Sequence, residues 1–257
     1  MIEVKGLSCG YRNNIVLKDV SFTGDSGDII CILGPNGSGK STLIKTILGL
    51  IKPFRGNILI DDENIKNWNW RKRANKISYI PQSFSSTFQY KVKDIVLMGR
   101  TPYLNIISSP SKEDMIIAEE AMEKLNILHL RDKVYSQLSG GERQLVKIAQ
   151  AIAQQSEVII MDEPTNNLDF SNQIVMLKHL KEWARNGVTV IMATHYPEHA
   201  FIYGTKALLV KDGKVVAIDN PKENLKEKEL ISLYNIDLKV VEIDSKGKAM
   251  KMCLPVF

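Results

Sequence analysis

Nine consecutive residues, Gly34-Pro35-Asn36-Gly37-Ser38-Gly39-Lys40-Ser41-Thr42, restrict the fold of this chain more than any other stretch. Their spacing fits G-x-x-x-x-G-K-[ST], the phosphate-binding P-loop. The flanking residues supply the context that such a match needs. Asp28-Ile29-Ile30-Cys31-Ile32-Leu33 reads as a short buried strand. Thr42-Leu43-Ile44-Lys45-Thr46-Ile47-Leu48 carries apolar residues at helical spacing, with Gly49 as a stop. Strand, glycine loop and helix is the order that phosphate binding requires. The glycines let backbone N–H groups turn inward, and the helix N-terminus adds the positive end of its dipole. Lys40 would reach the β and γ phosphates and Ser41 would hold Mg²⁺. The stretch predicts binding of a nucleoside triphosphate.

A chain of 257 residues can bury a full core, as one large domain or two lobes. With 44% hydrophobic and 25% charged residues, it has the composition of an ordinary soluble protein. No apolar run approaches the roughly 20 residues that span a bilayer. Met1-Ile2-Glu3-Val4-Lys5 lacks a signal-peptide pattern, which places the chain on the cytosolic side. Cys9, Cys31 and Cys253 are too scattered for a zinc motif or a disulfide framework and read as small core residues. A net charge of +5 permits contact with an anionic surface without pointing to nucleic acid.

Residues 2–9 and 15–22 alternate apolar and polar positions, as paired half-buried strands do, and 56–61 adds a third strand. Tyr11, about 20 residues before the P-loop, is either an adenine-stacking ring or a surface turn residue. Residues 66–76 are basic and contain Trp68 and Trp70. A solvated helix with the tryptophans packed beneath it accounts for them better than a nucleic-acid patch. Ile77–Pro81 is a short strand that delivers Gln82 to a loop at 83–86. Between 87 and 155 the segments read as helices. In 111–128, Ser111 and Asp114 form a cap above an apolar stripe of Ala118, Ala121, Met122 and Leu125.

Ser139 and Glu142 have the spacing of a capping box, before a helix with Leu145, Ile148, Ala149, Ile152 and Ala153 on one face. Capping does not require the two glycines between them. Gly140 and Gly141 leave bare N–H groups at a helix N-terminus, which suits another phosphate. Glu157–Met161 is an apolar run ending in Asp162 and Glu163, as a strand buried on both faces would. Ligands bind beyond the carboxyl ends of such strands, so Asp162 would hold Mg²⁺ and Glu163 would polarise an attacking water. A helix with Ile174, Leu177, Leu180 and Ala184 on one side follows Asp169. Val188–Ala193 is a second buried strand, and its end carries His195 towards a γ-phosphate. His129, His179 and His199 have no such placement. Residues 206–217 read as a hairpin, 222–234 as a charged helix and 240–255 as a terminal hairpin.

In this order the P-loop, Gln82, Leu138–Gln144, Val158–Glu163, Asp169 and His195 resemble the ATP-binding subunit of an ATP-binding cassette (ABC) transporter, over essentially the whole length. Leu138-Ser139-Gly140-Gly141-Glu142 is similar to the signature that other P-loop classes lack. The resemblance implies an α/β fold. A RecA-like ATPase core of 1–86 and 156–235 would carry an antiparallel β subdomain, a helical subdomain at 87–155 and a short hairpin extension at 236–257. It also implies that Tyr11 stacks on adenine, Gln82 contacts Mg²⁺ and senses a membrane subunit, Glu163 is the general base and His195 the switch histidine.

Partners follow from the same resemblance. Two copies would join head to tail, so that Ser139, Gly140, Gly141 and Glu142 of one copy face ATP on the other's P-loop, with Asp169 across the joint. The pair would sit peripherally on the cytoplasmic face of the membrane, on transmembrane permease subunits and indirectly served by a substrate-binding protein, with no nucleic acid. Tyr90–Tyr103 and the short tail resemble importers of iron–siderophore, haem and cobalamin. Molybdate and tungstate importers share much of this, so the cargo stays open. Leu145, Gln150 and Tyr196-Pro197-Glu198 depart from the common pattern. An export ATPase shares the catalytic motifs. A soluble cassette acting on nucleic acid or ribosomes would carry two cassettes or a coiled-coil insertion.

Overall fold

A run of apolar residues with no alternation needs neighbours on both edges and cover on both faces. The computed structural model describes residues 1–82, 89–105, 108–166, 168–245 and 248–256. The loop expected at 83–86, Asn167 and residues 246–247 lie outside the described residues. The chain divides into two compact units, Met1–Asn67 with Trp183–Phe257, and Trp68–Glu182.

The first unit opens with the antiparallel pair β1 (Ile2–Tyr11) and β2 (Asn14–Gly24), which pairs Ile2 with Gly24 at one end and Tyr11 with Asn14 at the other, with register shifts between Val4 and Gly10. Alternation buries Ile2, Val4, Leu7 and Cys9 of β1 and Leu17, Val20 and Phe22 of β2. β3 (Ile29–Leu33) is buried at every position. α1 (Lys40–Ile47) turns Leu43, Ile44 and Ile47 wholly inward. β4 (Arg55–Ile60) and β5 (Glu63–Asn64) complete an antiparallel sheet of order β2-β1-β4-β5.

The second unit begins at α2 (Trp70–Lys76), capped by Asn69, which accepts from the Lys72 N–H at 2.8 Å. Only one tryptophan is packed away here. Trp68 is buried with the Lys72 ammonium 5.4 Å from its ring, whereas Trp70 is 67% exposed. A seven-residue helix with no buried residue offers no apolar face for a second ring to lie under. β6 (Ile77–Ile80) runs parallel to β7 (Val158–Asp162), with Ile77 opposite Val158 and Ile80 opposite Met161.

Between those strands lie α3 (Val92–Leu97), α4 (Lys112–Lys124) and α5 (Gly140–Ala153). α4 carries the full capping box of Ser111 and Asp114, and Ala118, Ala121, Met122 and Leu125 are buried along it. Asp114 also takes the Arg100 Nε–H at 2.9 Å, and Arg100 Nη1 donates to Ala153 O and Gln155 Oε1, each at 2.9 Å. The guanidinium beside Asp114 holds its carboxyl below the usual range. Arg100 thus joins the start of α4 to the end of α5. α5 buries Leu145, Ile148, Ala149 and Ala153, while Ile152 is half-buried. α6 (Phe170–Arg185) buries Met176, Leu177 and Leu180, with Trp183 beyond. The expected stripe is therefore rotated, since Ile174 and Ala184 are only half-buried.

The chain returns to the first unit with β8 (Thr189–Thr194), α7 (Pro197–Ile202), β9 (Lys206–Lys211) and β10 (Lys214–Asp219). Here β3 is flanked by β8 and β9, both parallel to it, and β10 closes antiparallel on β9. Asp212 and Gly213 both hold positive φ, 49° and 75°, which matches a two-residue turn to the twist of its strands. The charged helix expected at 222–234 is broken into α8 (Pro221–Asn224) and α9 (Glu227–Tyr234), because Leu225 leaves helical geometry to reach the core. β11 (Leu238–Ser245) and β12 (Lys248–Pro255) pair antiparallel. Cys9 and Cys31 are buried and Cys253 is half-buried, and all three are free thiols.

At the end of β8, the Thr194 hydroxyl lies 2.8 Å from His199 Nδ1 on α7. Burial pushes the His199 imidazole down to about 4. The folded state therefore keeps His199 neutral where an unfolded chain protonates near 6.5. Stability from this residue is full above pH 6.5 and lost as the pH falls towards 4. Between pH 7 and pH 5 the loss through this one group is about 2 kcal/mol, and His199→Gln flattens that part of a urea-denaturation profile. Arg100→Ala should cost about 3 kcal/mol in the same assay, because it strands a buried carboxylate. Glu119→Ala, at the exposed pair with Arg131, should cost under about 1 kcal/mol.

Candidate functional site

In the first unit, β3 ends at Leu33 and α1 begins at Lys40, so Gly34–Gly39 must reverse direction within six residues. Two glycines make this possible. A Cβ on Gly34 would lie 2.4 Å from the Val210 carbonyl oxygen, and Gly37 takes φ 78° with open space where its side chain would be. Gly39, at φ 109°, caps α1 without a side chain, so no side-chain oxygen competes for the first N–H groups of the helix. Lys40 is 5% exposed, and its ammonium donates to Gly34 O at 2.8 Å and Pro35 O at 3.0 Å. The side chain thus folds back over the hollow of its own loop. The Ser38 hydroxyl is buried there without a hydrogen-bond partner. A loop left bare at its three glycines, with an ammonium folded over it and an orphaned hydroxyl, fits a phosphate chain. Ser41 is half-buried in the first turn of α1, and Thr42 is buried.

His195 follows β8 directly and is half-buried, and its carbonyl receives the Tyr234 phenol at 3.4 Å. The Thr194 hydroxyl also takes the Tyr196 N–H at 3.2 Å, so the His195 loop is pinned on both sides. Tyr11 closes β1 and is 48% exposed, so its ring is open to a ligand face.

In the second unit the parallel pair β6–β7 delivers its carboxyl-end residues to one place. Gln82 Nε2 donates to Glu163 Oε2 at 2.6 Å, and Asn166 Nδ2 donates to the same oxygen at 2.7 Å. Glu163 is 8% exposed and holds φ 51°, a left-handed conformation that a residue with a Cβ avoids. Strain of this kind persists only where the surroundings over-determine it, and it clusters at functional positions. The surroundings here are Asn166, whose N–H also returns to Glu163 O at 3.2 Å, and Gln144, which donates to the Pro164 carbonyl at 3.1 Å. Asp162 is 4% exposed at the last position of β7. Burial and the nearby Asp162 charge raise the Tyr79 phenol to about 12.

Ser139 and Glu142 complete the capping box of α5. Ser139 N–H donates to Glu142 Oε2 at 2.8 Å and Glu142 N–H to Ser139 Oγ at 3.3 Å. The Ser139 backbone bond holds the Glu142 carboxyl below its usual range. Gly140 is exposed and Gly141 half-buried, so the first turn presents backbone rather than side chains. Asp169 is exposed and accepts from Asn172 N–H at 2.8 Å, as a cap of α6 does. Among the described residues, no three of His, Cys, Asp and Glu converge as metal ligands.

Four residues with roles at these loops escaped the sequence reading. Asn166 and Gln144 lie in plain motif neighbourhoods but show no pattern of their own. His199 bonds Thr194 from five residues away, and Tyr234 reaches His195 from 39 residues on. The first of these two could have been found from the i, i+5 spacing of Thr194 and His199, and nothing local marks the second.

Residues 17–166 match the family described as ABC transporter. The molybdate import ATP-binding protein MolC of Haemophilus influenzae is 37% identical over 81% of this chain and 78% of its own length. The hemin import ATP-binding protein HmuV of Pseudomonas fluorescens is 32% identical over 96% of this chain and 97% of its own. Among solved structures, an inward-facing ABC transporter described as of the metal-chelate type superposes with a TM-score of 0.88 and 32% identity, covering 100% of this chain and 97% of that one. A dimeric ATP-binding cassette in a post-hydrolysis state with ADP and Pi gives 0.76 and 27%, covering 86% and 99%. No helix among the described residues is long and apolar enough to cross a membrane. The chain belongs to the ABC transporter family, as one of the nucleotide-binding subunits that hydrolyse ATP to drive transport.

Proposed function

We propose that this chain powers import of a metal chelate of the iron–siderophore, haem or cobalamin type. The observation that carries this reading is likeness over nearly the full length, 96% of the chain against a hemin import subunit and 100% against a metal-chelate type transporter. Molybdate import is the second reading, supported by the 37% identity to MolC. Uptake of radiolabelled ferric siderophore, haem, cobalamin and molybdate, in cells with the wild-type chain or Glu163→Gln, separates the two. Loss of molybdate uptake alone would replace the first reading by the second.

In this proposal the RecA-like core is 1–86 and 156–235, with the helical subdomain 87–155 and the extension 236–257. Gly34–Thr42 cradle the phosphates, Lys40 neutralises charge on the transferring phosphoryl group, and Tyr11 stacks on adenine. The oxygen donors of Ser41, Gln82 and Asp162 are of the hard kind that Mg²⁺ takes, and the ion would neutralise phosphate charge. Glu163 is the general base, and the two amide bonds on its Oε2 hold that carboxylate in place. His195 contacts the γ-phosphate. A second copy completes each site with Ser139, Gly140, Gly141 and Glu142, Asp169 lies at the joint, and the dimeric cassette supports that arrangement. The pair would work on the cytoplasmic face of the membrane with permease subunits and a substrate-binding protein, and without nucleic acid.

Glu163→Gln should still dimerise with ATP but lose about 10²-fold or more in turnover, as removal of a general base does. Lys40→Ala should lose nucleotide binding itself, read as the affinity for a fluorescent ATP analogue. Wild-type hydrolysis by Glu163→Gln would remove Glu163 from the role of base.

A further inference from the structure

α9 and the terminal hairpin have no part in the reading above, yet they touch both loops on which it depends. The Tyr234 hydroxyl at the end of α9 donates to the His195 carbonyl across a long 3.4 Å. The backbone of Gly34 lies close to the same hydroxyl. That backbone draws the phenol's pKa down. Burial, with Cys253 and Glu198 nearby, outweighs it and raises the phenol above its ordinary value, so the hydroxyl keeps its proton. One hydroxyl therefore sits beside the first residue of the P-loop while it bonds the residue that follows β8.

The hairpin holds the two helices that flank this contact. Cys253 N–H in β12 donates to Glu198 Oε1 at 3.0 Å, in the first turn of α7 and three residues after His195. Val240 N–H in β11 donates to Glu227 Oε2 at 2.8 Å, in the first turn of α9. At the other end of α9, Lys211 Nζ donates to Ser232 O and, at 2.7 Å, to Asn235 Oδ1.

We propose that α9 with β11 and β12 forms a strap that sets the His195 loop against the P-loop, with Tyr234 as the positioning residue through which the tail acts on γ-phosphate recognition. The proposal rests on the reading of Gly34–Thr42 as a nucleotide cradle and of His195 as the γ-phosphate contact. ATP has a γ-phosphate and ADP has none, so a loosened His195 loop weakens ATP binding and turnover and leaves ADP binding in place.

Tyr234→Phe keeps the ring and removes the hydroxyl. ATP turnover should fall about fivefold, and affinity for a fluorescent ATP analogue about threefold, while affinity for the ADP analogue changes less than about 1.5-fold. The melting temperature should stay within about 2 °C of wild type. Glu198→Ala, which frees the hairpin but leaves the hydroxyl, should show a smaller loss of the same kind. In a His195→Ala background, Tyr234→Phe should add nothing. Unchanged turnover and discrimination in Tyr234→Phe would overturn the strap. So would losses shared equally by ATP and ADP, or a further full loss on top of His195→Ala. His195→Ala alone tests the underlying reading, and wild-type hydrolysis by that variant would overturn the site assignment itself.

Discussion

Everything functional here hangs from strands that can be left only at their ends. All five residues of β3 and all six of β8 are buried, and β3 is hydrogen-bonded in parallel on both edges. A backbone so enclosed has no unpaired N–H or C=O to give to a ligand along its length. Chemistry is displaced to the loops beyond the carboxyl ends, where the P-loop follows Leu33 and His195 follows Thr194. The parallel pair of β6 and β7 obeys the same constraint in its own unit. Register places Ile80 beside Met161, so Gln82 and Glu163 emerge together and meet at 2.6 Å.

Where a loop must present backbone, the chain removes side chains, and where it must fix a carboxylate, it accepts strain. Gly34 and Gly37 do the first, since neither position tolerates or needs a Cβ. Glu163 does the second, at φ 51°, held by the amides of Gln82 and Asn166. Such a conformation costs of order 1–2 kcal/mol, which the bonds around it must offset. Ser139 and Glu142 show one motif serving two ends. Their capping box is a complete structural account of the start of α5, while Gly140 and Gly141 leave that start accessible.

How much of this was legible in the sequence depends on range. The P-loop, the acids at the end of β7 and both capping boxes are patterns within about nine residues, where local geometry fixes the outcome. Register on a helix face was less legible. The stripe of α6 reads equally well when rotated, and only the neighbours decide that Met176 and Trp183 go inward rather than Ile174 and Ala184. Trp70 read as packed because tryptophan is large and apolar, but α2 is too short to cover it. Leu225 breaks a helix that its flanking charges favour, because burying it outweighs propensity. The contact of Tyr234 with His195 crosses 39 residues and leaves no local trace.

The central claim is that one copy of this chain holds only half of each catalytic site. The dependence of specific ATPase activity on chain concentration tests it most directly. The account predicts that activity per chain rises with concentration and levels off as dimers saturate, with a half-point set by the ATP-bound dimer. Activity per chain that stays constant from the lowest measurable concentration upward, in a chain shown by light scattering to be monomeric there, would contradict it.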